Sequence, residues 1–354
     1  MPQTAATDPV SLTCPAPLPA RELILLGHGS GGRLSAELLR DVFLPLFSNP
    51  VLDRMDDQAI VEIGGARVAV TTDSFVVQPL FFPGGDIGSL AVHGTVNDLA
   101  MGGARPLFLS AGFILEEGLP IETLRQVTLS MARAAEAAGV AIITGDTKVV
   151  EKGKGDGLFI NTTGIGIVPD GLCLSANRAQ PGDRVILSGP IGDHGIAILA
   201  RREGLQFETC IPSDSAPLYN LVATMLAAST EIRCMRDPTR GGVSSALNEI
   251  ATQSRVSIQI EEARVPVRDE VKGACELLGL DPLYVANEGK LLAIVAPDAA
   301  ETILNAMRAH PYGAQAEVIG TVGERRAGLV TMRTVFGSTR IVDVLAGDQL
   351  PRIC

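Results

Sequence analysis

The 354-residue sequence has no tryptophan, three tyrosines and ten phenylalanines. It is also short of positive charge, with 29 Lys and Arg against 40 Asp and Glu and a formal net charge of -11. Each shortage excludes something. A chain this acidic is ill suited to neutralise a phosphate backbone, which argues against nucleic-acid binding and equally against an anionic membrane surface. No apolar run is long enough to cross a bilayer. Residues 1–20 hold no Lys or Arg, so the charged start of a secretory signal is missing. The six cysteines (Cys14, Cys173, Cys210, Cys234, Cys275 and Cys354) form no C-x-x-C pair. Neither a zinc site nor a disulfide framework is indicated. His28, His93, His194 and His310 show no metal-ligand spacing and read as structural or solvated, with His28 the one to watch. A reduced, cytoplasmic protein is expected.

What is present is glycine, 38 residues, and a 46% share of hydrophobic residues. That suffices for about two α/β or α+β domains. Residues 1–20, rich in Pro, Ala and Thr, read as a disordered leader. The span 21–175 reads as a first α/β domain. In it "AIVEIGGARVAVTTDSF" gives two strands joined at Gly64-Gly65. "GSLAVHGTVNDLAMGG" reads as a closely packed helix, and "PIETLRQVTLSMARAAEAAG" as a helix with Pro at its start and Gly at its end. The pattern restarts near Pro181-Gly182, and a second α/β unit occupies 176–342. Residues 343–354 have no partner pattern and read as a flexible tail ending in "PRIC".

The acids of the first domain recur at turns rather than on helix faces: Asp57 before a strand, Asp73 in "TTDSF", Asn97-Asp98 in the Gly-bearing helix and Asp146 in "TGDTK". Each alone reads equally as a cap or turn former. Together they suit Mg²⁺, which takes oxygen ligands and bridges carboxylates to phosphates. "GHGSGG" fits G-x-G-x-x-G at Gly27, Gly29 and Gly32. Asp53 falls before its candidate strand rather than at a strand end, which counts against a dinucleotide. The loop around Gly29, Ser30 and Gly31 reads either as a cover for a nucleotide or as a linker. Lys148, Glu288 in "VANEGKL", and Asp237 and Arg240 in "RDPTRGG" complete the candidates, each with a plain turn, surface or capping alternative. On these residues alone an ATP-using kinase, a nucleotide-sensing docking module and, more distantly, a dehydrogenase stay open.

The run from Asp56 to Ser110, with "TGDTKVV", "RDPTRGGV", "VANEGKL" and the closing "PRIC", resembles the HypE family, carbamoyl dehydratases of [NiFe]-hydrogenase maturation. The resemblance covers about Leu25 to Cys354. It implies a two-domain aminoimidazole ribonucleotide synthase-like fold that pairs as a homodimer through joined strands. It implies ATP and Mg²⁺, with Asp57, Asp73, Asp98 and Asp146 as metal ligands. Gly29, Ser30, Gly31, Asn97 and Asp237 are implied around the nucleotide. It also implies Cys354 as acceptor of a carbamoyl group, Glu288 as base and Lys148 as a stabiliser of negative charge. The partners implied are the carbamoyltransferase HypF, which loads the thiol, and the HypC-HypD complex, which receives the cyanide.

Overall fold

The computed structural model describes residues 23–205, 210–324, 327–345 and 352–354. The expected leader and Cys14 lie outside the described residues. The chain enters through α1 (Arg33–Leu38) and α2 (Leu44–Phe47), separated by a π-helical stretch, Leu39–Phe43. It then builds β1 (Ala59–Ile63) and β2 (Ala66–Phe75), joined at Gly64-Gly65, whose φ values of 59° and 84° suit glycine. A small hairpin, β3 (Phe81–Phe82) and β4 (Gly85–Asp86), leads into α3 (Ile87–Met101). Next come β5 (Arg105–Glu116), α4 (Ile121–Ala138), β6 (Ala141–Val150) and β7 (Leu158–Ile167). The first sheet has the order β1-β2-β7-β5-β6.

Helix α3 begins where Asp86 accepts from Gly88 N at 2.7 Å and Ser89 N at 3.1 Å, while Ser89 Oγ accepts from Asp86 N at 3.1 Å. This reciprocal pair satisfies the first free amides of the helix. α3 is apolar on nearly every side because it is covered on nearly every side, by α4, β2, β5 and β7 and by Tyr219–Ala228 and Ile232–Arg236 of the second unit. Gly88 permits the closest approach: a Cβ there would lie 2.4 Å from the Val127 carbonyl oxygen on α4.

The second unit holds β8 (Arg184–Leu187), α5 (Asp193–Arg202), α6 (Tyr219–Ala228), β9 (Ile232–Arg236), α7 (Gly242–Gln253) and β10 (Ser257–Glu261). It continues with α8 (Asp269–Leu278), β11 (Leu292–Val295), α9 (Ala300–Arg308), β12 (Glu317–Gly323), β13 (Leu329–Arg333) and β14 (Thr339–Ile341). Its seven strands run β14-β13-β10-β12-β8-β11-β9. Separate apolar cores lie on the two faces of this sheet, one against α7 and one against α6 and α9. The unbroken "LAIV" of β11 is buried throughout, as a strand covered on both faces requires. The α/β two-sheet architecture matches the expected fold class. Among the described residues, no helix is long and apolar enough to cross a membrane.

Candidate active site

Four acids from both units meet in a cleft between the sheets. Asp57 precedes β1, Asp73 lies near the end of β2, Asp98 sits in the last turn of α3 and Asp237 follows β9. They line one cavity of about 210 Å³, together with Gly31 and Arg240. Arg236 pairs with Asp57, with Glu249 at 3.5 Å and with the Met55 carbonyl at 2.5 Å. The other acids are less compensated. Burial, then the neighbouring Asp73, Asp237 and Asp57, holds the Asp98 carboxyl well above its ordinary range. Burial, then Asp57 and Asp73, does the same to Asp237. Burial pushes Asp57 up to about 6 despite Arg236.

Thr71 shows the consequence. Its hydroxyl lies 2.9 Å from the Asp57 carbonyl and 2.8 Å from Asp98 Oδ2, two acceptors for one proton. The contacts balance if Thr71 donates to the carbonyl and a protonated Asp98 donates to Thr71. Four carboxyls crowded this way suit a divalent cation, yet among the described residues no three metal-ligating side chains form a preformed cage. Magnesium fits such a set, because it takes one or two carboxylates and completes its shell with phosphate and water oxygens.

The glycine-rich loop reaches this cleft. Leu26–Gly29 forms a 3₁₀ turn, Ser30 Oγ donates to Gly27 O at 2.8 Å, and Arg240 Nη1 donates to Gly29 O at 3.0 Å. Gly31 has φ 73°, and a Cβ there would lie 2.6 Å from the Arg240 carbonyl oxygen, so only glycine lets the loop close on the cleft. Beside it opens a groove of about 960 Å³, lined by Ala36, Leu39, Leu44, Val51, Met55 and Val70 among others. His28 turns back instead, its Nδ1 accepting from Leu25 N at 2.9 Å, a local cap.

The sequence predicts a free tail from residue 343; the described parts of it are packed. Arg33 N donates to Leu345 O at 2.9 Å and Ser244 Oγ to Asp343 O at 2.6 Å. At the far end Val76 N, just past the end of β2, donates to Cys354 O at 3.0 Å. Ile353 is 3% exposed in the first unit's core, a burial worth about 2 kcal/mol. His194 Nε2 lies 2.9 Å from Ile353 O and so carries the proton, while its Nδ1 accepts from Ser213 Oγ at 2.8 Å. Burial, then Glu288, Asp73 and Asp237, pushes the Cys354 thiol up to about 12, with Arg240 opposing.

Glu288 is 2% exposed, and its Oε1 has no hydrogen-bond partner among the described residues. Burial and nearby Asp237, Asp214 and Asp73 hold it well above the ordinary glutamate range. Its loop is fixed from three sides: Asp214 Oδ1 accepts from Glu288 N at 3.0 Å, Asn97 Nδ2 donates to Glu288 O at 3.2 Å, and Asn287 Nδ2 donates to Pro238 O at 3.0 Å.

Three expected site residues stand elsewhere. Both Asn97 amide protons are used within the protein, donated to Ala216 O and Glu288 O, and the amide oxygen accepts from Leu218 N at 2.8 Å. At 1% exposure the side chain faces the second unit rather than the acid cavity. Asp146 and Lys148 lie within β6 and pair with each other at 2.5 Å, each 69% exposed. Through the register, Asp146 stands in the row of Gly112, Asn161 and Ser74, whereas Asp73 stands in the neighbouring row with Gly145. Adjacent rows face opposite sides of a sheet. Asp146 and Lys148 therefore occupy the open face, three strands from β2. The residues the sequence did not single out are His194 as a tail contact and Arg202, at the two ends of α5, and Asp156 in the β6–β7 loop, with no local signal.

Two family models match. The AIR synthase related protein N-terminal domain covers 55–168, and its C-terminal domain covers 180–332. The chain is 60% identical over 327 residues to carbamoyl dehydratase HypE of Azotobacter vinelandii, covering 92% of this chain and 96% of that one. It is 47% identical to HypE of Escherichia coli K12, over 94% and 99%. A crystal structure of a HypE-HypF complex superposes with a TM-score of 0.83 at 51% identity, covering 87% of this chain and 99% of that chain. One of HypE in complex with ATP gives 0.79 at 50%, covering 94% and 100%. With both domain models matched and this identity sustained over nearly the whole chain, the protein belongs to the HypE family of carbamoyl dehydratases.

Proposed function

We propose that the chain dehydrates a carbamoyl group carried on its own Cys354 to a thiocyanate, using ATP, and so supplies cyanide for hydrogenase iron. The observation that carries this is the place of Cys354. The thiol-bearing residue is docked beside the acid cleft of its own chain, next to Glu288 and Arg240.

Loss of oxygen from S–C(=O)–NH₂ needs a leaving group better than oxide. ATP would supply it by phosphorylating that oxygen, and Asp57, Asp73 and Asp98 would hold a Mg²⁺ ion whose charge would screen the triphosphate. Asp237 borders the same cavity, and the Gly29–Gly31 loop and the neighbouring groove would cover the nucleotide. The chain's own side chains do the rest. Val76, just past β2, and His194 hold the tail in place. Glu288 Oε1, without a hydrogen-bond partner among the described residues, accepts one N–H proton as the oxygen is phosphorylated, and the second N–H proton leaves with the phosphate as the C≡N bond forms; Arg240 offsets the negative charge at the cleft mouth. To act as a base Glu288 must first lose its own proton, and cation charge among the acids favours that loss.

Three further readings belong here. The carbamoyl donor is a HypF-type carbamoyltransferase and the cyanide acceptor a HypC-HypD-type scaffold. The chain forms a homodimer through β6, an edge strand exposed almost throughout with Ile142, Ile143 and Val149 in the open. Asp146 and Lys148 then serve the cleft of the second copy. Peptide mass spectrometry tests the main reaction: carbamoylated Cys354 loses one water only with Mg²⁺ and ATP, and not in Glu288→Gln. A carbamoyl group that persists under ATP overturns it.

A further inference from the structure

Docked, Cys354 is only partly exposed and its carbonyl and the two residues before it are held, so a loading enzyme gains full access to the thiol only when the tail leaves and returns. What holds it is a clasp from three distant segments. Arg202 on α5 donates from Nε to Gln78 O at 2.9 Å and from Nη2 to Arg352 O at 2.7 Å. His194 grips Ile353 O. Arg352 completes it: Nε donates to Val76 O at 3.1 Å, Nη1 pairs with Asp156 of the β6–β7 loop, and the guanidinium lies 5.9 Å from the Phe159 ring centroid. Its backbone sits at φ 54°, a conformation that side-chain-bearing residues avoid, so contacts must hold it there.

We propose that the Arg352–Asp156 pair is the latch of the tail, a positioning contact that sets how long Cys354 stays in the cleft. This rests on the reaction proposed above. The other clasp contacts suit permanence: His194 is fully buried and Ile353 nearly so. The latch differs, with Arg352 and Asp156 side chains 30% and 36% exposed. An ion pair this open is weak and screened by salt, so a partner or solvent can break it first. The fork is specific to arginine, because one planar group meets a carboxylate, a carbonyl and a ring face together.

The test is the alkylation rate of each cysteine by iodoacetamide in the full-length protein, read by peptide mass spectrometry. Exposed Cys173 and Cys210 serve as internal controls. Wild-type Cys354 is expected to react at least about tenfold more slowly than Cys173. Asp156→Asn and Arg352→Lys each raise the Cys354 rate about three- to tenfold and leave Cys173 and ATP binding unchanged. Asp156→Glu restores protection. Protection that is intact in Asp156→Asn overturns the latch and leaves the docked tail standing. A wild-type Cys354 as reactive as Cys173 overturns the docked tail itself, and the latch with it.

Discussion

Asn97 of α3 and Glu288 of the second unit are joined directly, the Asn97 amide donating to the Glu288 carbonyl oxygen at 3.2 Å. The same side chain holds Ala216 and Leu218. Asn97→Ala strips two carbonyls and one amide of their partner in a site 1% exposed. Such groups cost about 1–3 kcal/mol each when left unpaired, so a loss of about 2–4 kcal/mol is expected after relaxation. Thermal unfolding checks this. Because Glu288 loses its support, single-turnover dehydration should fall further than nucleotide affinity.

The acid cleft predicts a proton-linked metal response. Asp57, Asp73, Asp98 and Asp237 all have raised values, so the metal-free fold binds more protons than the unfolded chain. Their contribution to stability is full at low pH and is lost as pH rises through the folded values, near 6 for Asp57. A cation replaces those protons. Magnesium with ATP should therefore raise the melting temperature more at pH 7.5 than at pH 5.5, with protons released on binding. Asp98→Asn should raise the metal-free melting temperature and remove most of the magnesium response. Scanning calorimetry with and without EDTA checks both.

How much of this was legible depends on where the information sits. Asp57, Asp73 and Glu288 stood out because they punctuate strands and loops. Asn97 misled because it adjoins Asp98. Successive helix residues point about 100° apart, so only one of the two can face the cleft. Asp98 does, and Asn97 faces the second unit. β6 is ambiguous for a different reason: exposed along nearly its whole length, its sequence does not mark which face is inward, nor whether Asp146 and Lys148 face their own cleft or a second copy. The clasp was illegible because α5, which carries His194 and Arg202, meets Asp156 and the tail only through tertiary folding.

Asp193 gives a second pH test, away from the acid cluster. It opens α5 with 1% of its side chain exposed, both carboxylate oxygens lack hydrogen bonds among the described residues, and Arg268 lies 3.5 Å away. Burial pushes it up to about 6. A raised acid favours the fold while protonated and loses that contribution as pH rises through 6. Asp193→Asn keeps the shape and removes the ionisation. It should be nearly neutral at pH 5 and stabilising by roughly 2–5 °C at pH 8. Paired melting curves at the two values decide it.

The position of Lys148 supplies the test of assembly. It lies three strands from β2, about 14 Å at ordinary strand spacing, and on the opposite face from Asp73. No rotamer carries its ammonium to Glu288 of the same chain through that sheet. If it acts, it acts on a second copy. Lys148→Ala and Glu288→Gln should each abolish dehydration alone. Mixed after subunit exchange, they form heterodimers in which one cleft keeps its own Glu288 and receives an intact Lys148, while the other has neither. Random pairing should then restore about a quarter of wild-type activity, half the dimers with half their clefts. Single-turnover assays on the mixture, with exchange verified by native mass spectrometry, check this. Exchange without recovery would mean that Lys148 serves no neighbouring cleft, leaving it the surface partner of Asp146.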